Sequence, residues 1–200
     1  MQGSYPGPPI DDEDIIARLP ESLASMLAAQ NGWIAYSGGL HVRGACLAPE
    51  WHSLRAAWEG EYALYRLFPA VSQHDIPLAE DCFGDQFLIR DGTVLRLFGE
   101  TGELEELGLS WPAFLSRVEE QPVEFLDLQP LTRFSAEGGI LLPGELLSAY
   151  PPFVATEGGA SLRPIPNLER RLFLADFARQ IAGVEDGQQI EIVVKSSEPQ

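Results

Sequence analysis

Residues 87–98 read FLIRDGTVLRLF, two apolar runs separated by Arg90-Asp91-Gly92-Thr93. Asp-Gly supplies the left-handed backbone positions that a two-residue turn demands, so Phe87–Ile89 and Val94–Phe98 are predicted to pair as antiparallel strands. The longer segment Ile76–Phe98 is expected at the centre of the fold. Asp81 to Asp85, with Gly84 among them, form its polar approach to the first strand.

Helices are expected on both sides of this hairpin. Asp11 to Asp14 place negative charge ahead of Ile15, Ile16 and Leu19, as a helix N-terminus prefers. Pro20 interrupts that pattern and opens a second helix to Gln30, with Leu23, Met26 and Leu27 on one face and Gly32 beyond its end. Trp33–Tyr36 and Leu40–Ala45 read as strands around Ser37-Gly38-Gly39. Pro49–Trp58 is predicted helical from the spacing of Trp51, Leu54 and Trp58, and Tyr62–Phe68 is open between helix and strand. Ser110-Trp111-Pro112 starts a helix through Val118 that buries Trp111, Phe114, Leu115 and Val118.

Beyond Gln121-Pro122 the pattern predicts a turn at Gly138-Gly139 and a short helix over Pro143–Tyr150. A longer helix follows at Leu168–Ile181, with Leu172, Phe173, Asp176, Phe177 and Ile181 on one side, and then a strand at Ile190–Val194. The fold class is α+β: a mixed, mainly antiparallel sheet with helices packed against it, plus a C-terminal extension. Its expected parts are a flexible N-terminus (1–12), a main domain (13–122), an extension or small lobe packed on it (123–195) and a frayed tail (196–200).

The formal net charge is −17, and residues 1–122 carry 19 acids against 7 bases while the remainder carries 11 against 6. Such a surface disfavours nucleic acid and anionic membrane and favours a basic protein partner. Two cysteines, Cys46 and Cys82, are too few for a disulfide framework and read as reduced, buried thiols. The opening MQGSYPGPPIDDED has neither a basic region nor an apolar core of the kind that directs export, and no run is long enough to span a membrane. A cytoplasmic location is expected.

Three pieces carry a resemblance: LPESLASMLAAQNGW, IPLAEDCFGDQFLIRDGTVLRLFGETGE and SWPAFLSRV. In this order and spacing, across roughly residues 13–120, they resemble the SUKH superfamily, which includes the yeast Smi/Knr cell-wall regulators and many bacterial immunity proteins. The resemblance implies a sheet covered by helices, no cofactor, no catalysis, and a bacterial immunity protein that occludes a cognate nuclease or deaminase toxin. A regulatory or scaffold module without a toxin partner is the alternative. Nothing in the resemblance reaches residues 123–200.

The candidate partner-binding residues are Glu80, Asp81, Asp85, Asp91, Glu100, Glu103, Glu105 and Glu106, with Trp51 and Trp58 as aromatic anchors. The acids either present a negative face to a basic toxin or are ordinary solvated carboxylates. The tryptophans are either interface anchors or core. Cys46 beside His41 or His52 suggests an activated thiol only by proximity in sequence, and an inert buried thiol accounts for it as well. Asp81, Asp85 and His74 match no metal-ligand spacing, and the glycine pairs match no phosphate loop. No catalytic residue, cofactor or metal is expected.

Overall fold

A computed structural model of the chain describes residues 5–184, 187 and 188. The strand expected at Ile190–Val194 and the tail at 196–200 lie outside these residues. Seven strands form one sheet in chain order, every neighbouring pair antiparallel. They are β1 (Tyr5–Pro6), β2 (Trp33–Ala35), β3 (Leu40–Val42), β4 (Ile76–Asp81), β5 (Gln86–Arg90), β6 (Thr93–Leu97) and β7 (Leu104–Glu106).

The Asp-Gly turn forms as its chemistry requires. Asp91 and Gly92 both take positive φ, 49° and 82°, and Arg90 pairs directly with Thr93. Alternation along β5 and β6 then serves two cores, because successive side chains point to opposite faces. Phe87, Ile89 and Val94 join one cluster with Ile15, Leu23, Leu27, Trp111, Phe114 and Val118. Leu88, Leu95 and Leu97 join another with Leu64, Phe68, Leu174, Ala175 and Ala178.

The first cluster receives α1 (Glu13–Arg18), α2 (Glu21–Ala29), α3 (Leu54–Trp58) and α5 (Trp111–Glu120). α4 (Leu64–Leu67) and the C-terminal α8 (Asn167–Ile181) supply the second. Residues from 122 onward also form α6 (Pro122–Phe125), α7 (Gln129–Ala136) and a two-stranded sheet of β8 (Glu145–Tyr150) and β9 (Ser161–Pro166). They are stitched to the main sheet: Leu147 N–H donates to the Cys82 carbonyl at 2.7 Å, and α8 covers the second core.

Several expectations change. Residues 5 and 6 are not loose, because β1 pairs with β2 and Tyr5 packs 5.3 Å from the Trp51 ring. The stretch expected to be one helix from Pro49 is divided into a 3-10 turn, Glu50–His52, and α3, which Ser53 restarts by accepting from Ala56 N–H. The expected helix at Pro143–Tyr150 is instead β8, paired residue by residue with β9. Tertiary pairing overrides the local pattern there, and β9 accommodates Pro164 and Pro166 because it is an edge strand. On α8 the buried side runs through Arg170, Arg171, Leu174, Ala175, Phe177 and Ala178, while Asp176, assigned to the apolar face, is exposed.

Candidate functional site

The ten candidate residues separate according to where the strands put them. Glu80 and Asp81, at the end of β4, are fully buried, and Glu100 is 8% exposed. These three therefore cannot present open carboxylates to a partner. Trp58 is buried too, its indole N–H donating to the Gln73 carbonyl at 3.0 Å, so it is core and not an anchor. Asp91, Glu103, Glu105 and Glu106 are exposed, and Asp85 and Trp51 are half-buried.

Glu80 is the hub of an interior polar network. One carboxylate oxygen accepts from His41 Nδ1–H at 2.9 Å and from the Asn167 amide. The other accepts from Arg43 at 2.7 Å and Gln86 at 3.1 Å. Burying a charge is costly unless it is paired and hydrogen-bonded, and here all four bonds come from different positions in the fold. Burial alone would raise the Glu80 pKa, but Arg43 and His41 hold it well below the ordinary carboxylate range.

A chain of imidazoles extends from this hub. His41 Nε2 lies 2.9 Å from His52 Nδ1, and His52 Nε2 donates to the Asn31 carbonyl at 3.0 Å. Both ends of the chain are acceptors, so His41 Nδ1 and His52 Nε2 carry the hydrogens. Two neutral rings have two hydrogens for three links, so the 2.9 Å contact between them calls for a third proton, while burial lowers the His41 pKa and, with His41 beside it, brings His52 down to about 4. Neither imidazole is bonded to Cys46, whose thiol is pushed up to about 11 by burial and by Asp11 and Asp12.

The neighbouring carboxylate, Asp81, shapes the surface instead. Its Oδ1 accepts from the backbone N–H groups of Phe83, Gly84 and Asp85 at 2.8–3.0 Å, folding the β4–β5 connection into a tight loop. Gly84 takes φ 102° there, and a Cβ would lie 2.5 Å from Leu174. Burial and nearby Asp85 push the Asp81 pKa well above its ordinary value.

This loop forms one wall of a surface groove of about 510 Å³. Phe83, Phe98 and Phe153 supply apolar lining, with Phe83 and Phe153 in edge contact at 5.1 Å. Asp85, Glu100, Glu103 and Asp127 line it against two cations, Arg96 and Arg170. Arg96 is shared, bonding Asp85 at 2.8 Å and Asp127 at 2.9 Å with Asp81 at 3.8 Å. Arg170, fully buried, donates to the Phe83 carbonyl at 3.0 Å and approaches Glu100 at 3.5 Å. Glu100 also accepts from Val154 N–H at 3.0 Å, tying the β8–β9 connection to the groove.

Asp85, Glu100 and Glu103 thus meet at one place, and Glu105 and Glu106 continue the acidic surface along edge strand β7. Asp91 sits at the opposite end of the β5–β6 hairpin. Arg96, Asp127 and Arg170 complete the groove without having been singled out in the sequence, and Phe153 joins them from the proline-dense Tyr150–Phe153 segment. Among the described residues, no helix is long and apolar enough to cross a membrane. Comparison of the chain with family models, with curated proteins and with solved structures finds no match.

Proposed function

We propose that the chain is a non-catalytic protein-binding module of immunity type, which occludes a basic toxin domain, nuclease-like or deaminase-like, at the groove between the β4–β5 loop and the β8–β9 connection. The observation that carries this reading is the make-up of the groove: the accessible carboxylates of Asp85, Glu103 and Asp127 stand against the single half-buried guanidinium of Arg96 and beside exposed Phe153. A basic side chain of a partner finds both an opposite charge and an apolar or aromatic wall there. Exposed Glu103, Glu105 and Glu106 extend the negative field and would accelerate encounter.

Commitment of the interior polar groups supports the absence of catalysis. Glu80 accepts four hydrogen bonds, and the His41–His52 pair is occupied by Glu80 and the Asn31 carbonyl. General acid–base work needs a group free to exchange a proton with substrate. The module belongs, on this reading, in the cytoplasm, where buried, unpaired Cys46 and Cys82 would remain reduced.

The test is the association rate with the product of the neighbouring gene, which this reading expects to carry a basic domain, measured between about 0.05 and 0.3 M salt. The rate should fall about tenfold across that range, and reversal of Glu103, Glu105 and Glu106 to lysine should slow it at low salt. An association rate indifferent to both changes would remove the acidic surface from the interface. A neighbouring gene product that does not bind at all would remove the immunity reading.

A further inference from the structure

A second cavity, of about 340 Å³, opens on the other side of the Glu80 network, between β2–β3 and the segment joining α7 to β8. Its apolar walls include Ile34, Leu141, Leu146 and Trp51, and its polar lining includes Glu80, Glu145 and Asn167. No lysine or arginine is among the lining residues. Asn167 is 2% exposed, and its Oδ1 has no hydrogen-bond partner among the described residues.

The orientation of that amide is fixed by chemistry. Its other end faces the Glu80 carboxylate, which can only accept, so the NH2 group must lie there and the carbonyl oxygen is left over. A buried amide oxygen without a donor is rare in a folded protein and calls for a donor from outside the protein fabric. Glu80 cannot take part further, since it already accepts four bonds and Arg43 lies behind it on its other oxygen. Glu145 uses one oxygen to accept from Leu142 N–H at 2.9 Å and has a second to offer.

We infer that this cavity binds a small organic ammonium ion, its N–H groups donating to Asn167 Oδ1 and Glu145 and its apolar body resting among Ile34, Leu141, Leu146 and Trp51. Acceptors and carboxylates favour a cation over an anion, and the indole of Trp51 adds a face that attracts positive charge. A pocket of this size, mostly apolar with a few convergent polar groups, is the usual form of a small-molecule site. The site is separate from the acidic groove and does not depend on the immunity reading.

The experiment titrates the full chain with benzylamine, benzyl alcohol and benzoate near pH 7, following the Trp51 indole N–H and the Asn167 side-chain amide by NMR. Benzylamine should saturate both signals and bind about tenfold more tightly than benzyl alcohol, with no saturation by benzoate. Ser135 is an exposed lining residue on α7, so Ser135→Phe should block the cavity without disturbing the fold and abolish the shifts. Glu145→Gln keeps an oxygen for Leu142 N–H and should weaken benzylamine about threefold while leaving benzyl alcohol unchanged. Equal affinity for amine and alcohol, shifts confined to the Phe153 groove, or binding that survives Ser135→Phe in a folded protein would each overturn the inference.

Discussion

Glu80 and the Glu103–Glu106 stretch both bring carboxylates to strands of one sheet, β4 and β7, yet they have opposite fates. Glu80 lies on central strand β4 with four donors around it, and Glu105 and Glu106 lie exposed on edge strand β7. The difference teaches that sheet position, not residue type, decides what a carboxylate does. At the centre, a carboxylate ties β3, β4, β5 and α8 together. At the edge, glutamate stays solvated and discourages a second chain from adding to the open ladder.

The comparison is most severely tested by removing the central charge. Glu80→Gln leaves Arg43 buried without its counter-charge, so urea unfolding should show a loss of about 3–5 kcal/mol. A loss below about 1 kcal/mol would place Glu80 with the edge acids. Acid should weaken the centre next. His52 has a folded pKa of about 4 against an ordinary 6.5, so its neutral form is favoured in the folded state and its contribution is full above pH 6.5. That contribution is lost as pH falls from 6.5 towards 4, by about 3 kcal/mol. Lowered Glu80 adds a further loss once pH drops below its unfolded value of 4.5. Denaturation midpoints taken across this range should follow that slope, and His52→Gln should flatten its upper part; a midpoint rising towards pH 4 would contradict it.

Smallest of all should be the effect of reversing Glu103, Glu105 and Glu106 to lysine on stability, within about 0.5 kcal/mol by the same unfolding measurement. These exposed acids are proposed to act on encounter rate and not on the fold. A destabilisation comparable to that of Glu80→Gln would erase the distinction between centre and edge.

Much of the scaffold could be read directly because its signals are local. Asp91-Gly92 sets two positive φ values, the apolar alternation of Phe87–Ile89 and Val94–Leu97 fills both faces, and Pro112 sits at the start of α5 as expected. β8 escaped because its partner, β9, contains two prolines and joins it only through long-range pairing. The candidate sites were less legible. Net charge pointed to acids around the hairpin, but it could not separate buried Glu80, Asp81 and Glu100 from exposed Asp91, Glu103, Glu105 and Glu106. One signal was available in the run Leu40-His-Val-Arg43: an arginine continuing an apolar strand requires a buried acceptor, and Glu80 is that acceptor.

By itself, the sequence determined the hairpin, most of the helices and an acidic excess, since turn chemistry, periodicity and charge are properties of short segments. Only the tertiary structure decided that Asn167 and Arg170, near the end of the described chain, meet Glu80 and Phe83. Hydrogen bonds between residues 87 apart depend on how α8 docks against the sheet, and no local pattern encodes that geometry.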